Sequence, residues 1–221
     1  QIVGTSAYIY GDNVEIGIND AGHEGAPRQI ASNNRSNQGL ASPVYFGFVA
    51  NPQLDGWGNY DGDFFTPGSP ENGFGLEISG INYGNNASGS LEQIPGSISS
   101  YNVEGDCIFV EWDGEIANVE VHIVYRLITT ELYYTTEVTL TNTGGADLTD
   151  VYYYRNLDPD NNVTIGGGYG TQNTIVAQPT PTCEKALVTA TQTGPWDSYI
   201  GLGAIGEEFR VSYGGFANRD A

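Results

Sequence analysis

Between Asn118 and Asp158 apolar and polar residues alternate with a period of two. Val119, Val121, Ile123, Tyr125 and Leu127 interleave with Glu120, His122, Val124 and Arg126. After Thr129-Thr130, the series Leu132, Tyr134, Thr136, Val138 and Leu140 interleaves with Tyr133, Thr135, Glu137, Thr139 and Thr141. Asn142-Thr143-Gly144-Gly145 then leads into a third run, Leu148 to Asn156. Side chains on a strand point alternately to its two faces, so this pattern places one face of each run in a core. Turn residues between the runs predict an antiparallel meander.

Shorter strand-like runs fall near 2–10, 13–19, 43–50, 73–79, 106–112, 174–178, 186–192, 198–204 and 207–213. That makes about a dozen strands, with no helical period between them to supply parallel crossovers. The expected fold is all-β, a large antiparallel β-sandwich with long Gly/Asn/Asp-rich loops over 20–41 and 51–72. Residues 1–221 read as one domain; two sub-domains meeting near 100 are the alternative. Long loops on a rigid β scaffold are where binding groups commonly sit.

Charge narrows the function. There are 27 acidic against 7 basic residues, a net charge of −20, and Lys185 is the lone lysine. Such a chain repels phosphate backbones and anionic lipid, which excludes nucleic acid as a partner. It favours solubility and attracts divalent cations. No run of about 18 apolar residues exists to span a membrane as a helix. The chain starts at Gln1 and contains 0 Met, as expected of a secreted chain after removal of its signal peptide. In that setting Cys107 and Cys183 are expected to form a disulfide contributing roughly 2–4 kcal/mol; two buried free thiols are the alternative.

Candidate chemistry is sparse. His23 lies in a Gly-rich loop and His122 in a strand, where it is expected on the face opposite the core. No G-x-S-x-G elbow occurs, and Cys107 stands in an apolar run. Arg126 and Arg155, both in strands, are expected to pair with acids. Asp158, Asp160 and Asn161 cluster oxygens after a long strand and are candidate calcium ligands; Asp61 and Asp63 form a second candidate. An Asx-rich turn without an ion is the alternative for both. Trp57 and Tyr60, beside Asp55, Asp61 and Asp63, could line a sugar-binding cleft. Asn34, Asn86 and Asn162 begin N-x-S/T triplets in predicted loops and are candidate glycosylation sites, although Asn162 could not serve a glycan and a cation at once.

The run Val138-Thr-Leu-Thr-Asn-Thr-Gly144, followed by Leu148-Thr-Asp-Val-Tyr-Tyr-Tyr-Arg-Asn-Leu-Asp-Pro-Asp160, resembles β-sandwich modules of large secreted surface adhesin and filament proteins of Bacteroidota. The same stretch also resembles the supersandwich of aldose epimerases, with Tyr152 to Leu157 at the place of a strand that carries a catalytic histidine there and none here. The first resemblance implies a non-catalytic structural or adhesive subunit of an extracellular filament or adhesin. Its partners would be copies of itself, neighbouring modules or glycans. Assembly could proceed by strand addition, with residues 2–10 or the C-terminal run ending at Ala221 as donor. A carbohydrate-binding module is the alternative reading, and a glycoside-active or epimerase-like enzyme a second one.

Overall fold

A computed structural model describes residues 1–27, 45–50, 52, 63–66, 71–86, 89, 91–160, 162–163, 167–181, 184–193, 197–206 and 209–214. The chain is an all-β protein built from several antiparallel sheets. One sheet runs in the order β1 (Ile2–Val3), β2 (Ser6–Tyr10), β3 (Val14–Ile18), β6 (Phe48–Ala50). A second contains β12 (Tyr134–Asn142), β11 (Val119–Ile128), β10 (Cys107–Ile116) and β9 (Gly96–Glu104). A third joins β13 (Val151–Leu157), β7 (Asn72–Ile78) and β8 (Ile81–Asn86). A fourth joins β14 (Gln172–Ala177), β15 (Lys185–Gln192) and β16 (Ser198–Ile205). Among the described residues a two-stranded ribbon, β4 (Ala26–Pro27) with β5 (Tyr45–Phe46), completes the set.

Along β11 the alternation read from the sequence is the alternation of burial, whereas Leu132, read into the next strand's apolar series, precedes β12 and is exposed. Val119, Val121, Ile123, Tyr125 and Leu127 of β11 are all in the core. Their neighbours on β10, Ile108, Val110 and Trp112, point the same way. The first three sheets share one core. Ile9, Ile16 and Ile18 of the first sheet, Phe74, Leu76 and Ile78 of the third and the inward row of the second form one cluster. Each such side chain contributes roughly 1.5–3 kcal/mol when fully buried, so this shared cluster dominates the fold.

Trp112 is the hub of that core. Its ring is edge-on to Phe74 at 5.3 Å, and its Nε1 donates to the Asp20 carbonyl at 2.9 Å. Three glycines make room for it. A Cβ at Gly96 or Gly114 would stand 2.2 Å from the indole, and one at Gly22 would stand 2.7 Å away. The start of the segment expected to be a surface loop, 20–41, is thereby held against the sheet at Asp20.

Three expectations are corrected. The run after Asn142 does not extend the meander: β12 pairs with β11, whereas β13 pairs with β7 in another sheet, Val151 opposite Ile78 through Leu157 opposite Asn72. Asp150, at φ 52°, turns the chain into that layer, and Ser79 N–H meets the Thr149 carbonyl at 3.2 Å there. Residues 2–10 are not a spare strand. They divide at Gly4 into β1 and β2, and β2 is buried between β1 and β3. Finally, residues 209–213 form no strand among the described residues; the Gln178 side chain instead accepts from Val211 N–H at 3.2 Å, occupying a strand partner's place.

Candidate functional site

Charged and aromatic groups converge at the centre of the molecule on Glu24. Its carboxylate is 1 % exposed and accepts hydrogen bonds from Arg155 Nη2 on β13 and from the Tyr134 hydroxyl on β12. Asn72 Nδ2 reaches Glu24 Oε2 at 3.1 Å and the Glu24 carbonyl at 2.9 Å. Arg155 also donates to Tyr125 Oη at 3.1 Å and to Tyr153 Oη at 3.4 Å, and the Tyr125 hydroxyl in turn donates to the Gly22 carbonyl. His23 packs alongside, its Nδ1 2.9 Å from the Glu24 carbonyl.

Burial alone would push the Glu24 carboxyl up, yet the Arg155 guanidinium and the Tyr134 hydroxyl together hold it below its ordinary value. Burial, with Glu24 nearby, pushes the Tyr134 phenol well up, and burial pushes Tyr125 and Tyr153 up too. Burial lowers His23. Near neutral pH the carboxylate and guanidinium are therefore charged while the phenols and imidazole are neutral. The cluster ties the Asn19–Gly25 loop to β7, β11, β12 and β13. The expectation that Arg155 pairs with an acid holds, and this arginine turns inward from β13 as a structural tie.

A second group sits where β7 begins and β13 ends. Glu71 lies opposite Asp158, whose N–H donates to the Glu71 carbonyl at 2.7 Å. Glu71 Oε1 accepts from Asn156 Nδ2 at 2.9 Å and Asn86 Nδ2 at 3.2 Å, spanning three strands across the bare backbone of Gly73. Asp160 N–H donates to the Asp158 carbonyl at 3.0 Å, and Asp160 is 3 % exposed. Burial and the neighbouring carboxylate Glu71 push Asp158 up; burial and Asp158 push Asp160 up to about 6. Asn161 lies outside the described residues. Glu71 was missed in the sequence because it reads there as one more acid ending a polar loop.

The remaining candidates separate. Asp63 is fully buried, and its oxygens accept from Gly47 N–H at 2.8 Å, Phe65 N–H at 2.9 Å and Thr66 N–H at 3.2 Å. It anchors the backbone around Phe64 and Phe65. Asp61, Trp57, Tyr60, Asn34 and Cys183 lie outside the described residues. Cys107 is half-buried at the start of β10 as a free thiol, without the expected bridge, its sulfur 3.6 Å from Arg126 Nη2. Asn86 is not in a loop but ends β8 and is tied to Glu71. Asn162 is 0 % exposed, which leaves no space for a glycan in the folded chain. His122 lies on the outer face of β11, with Nδ1 2.6 Å from Asp113 Oδ1.

The fourth sheet has two partly exposed outer strands around a more buried β15. One face packs Ala186, Val188 and Leu202 on Val211 and Phe209. Among the described residues β16 is an edge strand, with Tyr199 63 % and Ile205 82 % exposed on either side of Gly201 and Gly203. At the opposite edge β14 exposes Ile175 and Val176 at a bulge.

Fold and site together define an antiparallel, sandwich-like β-protein with a pinned central ion pair and an exposed sheet edge. Comparison with protein-family models, curated proteins and solved structures gives no match.

Proposed function

We propose that the chain is a structural or adhesive module of an extracellular surface assembly, joined to further copies of itself along the edge of the β14–β15–β16 sheet. The observation that supports this reading is β16 itself. Exposed edge strands offer a row of unpaired backbone groups to a second chain, and proteins usually guard them with charge, proline or a bulge. The segment Ser-Tyr-Ile-Gly-Leu-Gly-Ala-Ile carries no charged residue and no proline, and its register with β15 is uninterrupted. With a net charge of −20, loose face-to-face contact is disfavoured, whereas backbone pairing along an edge does not depend on side-chain charge.

Sedimentation velocity over a wide concentration range tests the proposal. The wild-type chain is expected to associate, and Ile205→Lys to remain monomeric with an unchanged circular dichroism spectrum. A wild-type chain that stays monomeric throughout overturns it; glycan-array binding by that monomer would favour the carbohydrate-binding alternative.

A further inference from the structure

We propose that Asp158, Asp160 and the side-chain oxygen of Asn156 bind a divalent cation, calcium by their chemistry, with Glu71 orienting Asn156 from the neighbouring strand. This inference is independent of the assembly reading above.

The starting point is a buried oxygen with nothing to accept. Asp160 is 3 % exposed, and its Oδ1 has no hydrogen-bond partner among the described residues. A buried carboxylate without a partner is costly, far more so than a buried hydroxyl or amide. Asn156 Oδ1, near the end of β13 and two residues before Asp158 in the chain, is also buried without a partner among the described residues. Its orientation is set, because Asn156 Nδ2 is committed to Glu71 Oε1 at 2.9 Å. The unmet need is therefore for something that accepts electron density from oxygen.

Among the described residues the carboxylate ion pairs are those of Glu24 with Arg155 and of Glu111 and Asp113 with His122, and none reaches Glu71, Asp158 or Asp160. The mutual charge of the three acids favours any arriving cation. The donors are all oxygen, from carboxylate and amide, which suits a hard ion and not zinc or copper. Three His, Cys, Asp or Glu side chains do not converge tightly enough to hold an ion among the described residues. The proposed ion therefore takes two carboxylates, completes its shell with Asn156 Oδ1 and water, and tolerates irregular geometry. Calcium accepts such a shell of six to eight oxygens, whereas magnesium demands near-ideal octahedral geometry. Few charged ligands place the affinity in the range of extracellular modules, a Kd of roughly 10⁻⁴–10⁻³ M.

Isothermal calorimetry of calcium into the full chain tests this, with magnesium and with sodium chloride at matched ionic strength as comparisons. One saturable calcium site per chain is expected, at least tenfold weaker in Asp160→Asn and weakened in Glu71→Gln. Glu120→Gln, which removes the same charge from an exposed position on β11, should leave it unchanged. Asp160→Asn is expected to fold, since it removes a buried charge; Asp158→Asn provides a second ligand variant. Absence of a saturable site in the wild-type chain overturns the proposal, as does equal affinity in the Asp160→Asn and Glu120→Gln proteins.

Discussion

Glu24 and Arg155, 131 positions apart in the chain, form an ion pair inside the core with the carboxylate 1 % and the guanidinium side chain 13 % exposed. Removing one member leaves the other charged and buried, which costs about 3–5 kcal/mol. Glu24→Leu and Arg155→Met are each expected to lower the urea midpoint by that amount of stability. The double variant Glu24→Leu/Arg155→Met should recover a large part, because a buried pair replaced by apolar groups is often neutral. Equal additivity of the two single losses would show that the residues are not coupled.

The same carboxylate sets a response to acid. Its folded-state value lies below the ordinary 4.5, so the unfolded chain binds the proton more readily. Stability from Glu24 is thus fully present above about pH 4.5 and is lost as pH falls through the folded value. Urea unfolding of wild type and Glu24→Gln between pH 7 and pH 3 should show the gap between them narrowing toward the acid end. A constant gap would contradict the assignment.

Asp160 acts in the opposite sense. Burial first, then the charge of Asp158, raises its carboxyl from 3.8 to about 6. Between those values the folded chain holds a proton that the unfolded chain has released. In cation-free buffer its contribution therefore falls as pH rises from about 4 to about 6. Asp160→Asn should gain stability relative to wild type across that window and hold the advantage above it. A difference independent of pH would place Asp160 in a solvated setting.

The glycines around Trp112 are predicted to be intolerant of a methyl group. A Cβ on Gly114 would meet the indole Cη2 at 2.2 Å and the Pro95 carbonyl oxygen at 2.7 Å. Gly114→Ala is expected to destabilise by about 1–3 kcal/mol through overpacking. In a Trp112→Phe background the added cost should be smaller, since the clashing ring is gone. Thermal unfolding of the four proteins measures the coupling, and an undiminished cost would point to the backbone contact alone.

Removal of residues 1–10 should abolish folding rather than release a free monomer. Ala7, Tyr8 and Ile9 are all 0 % exposed, and β2 carries the backbone pairing of β3. Loss of near-ultraviolet circular dichroism in the truncated chain is the expected result; a soluble, folded product would show that the first sheet closes without β2.

Local pattern determined much of this fold. Alternation over 119–127 specified both the strand and its buried face, because side-chain direction on a strand has a period of two whatever the strand pairs with. The strand at 106–112 was legible as a short apolar run, and it became β10. Strand partnership was not legible in the same way. Val151–Leu157 reads as a strand on either side of the 143–150 connection, and only three-dimensional packing sent it to β7 instead of β12. That choice brings Arg155 to Glu24 and Asp158 to Glu71. Residues so far apart carry no shared periodicity, so their meeting was decided by the tertiary structure alone.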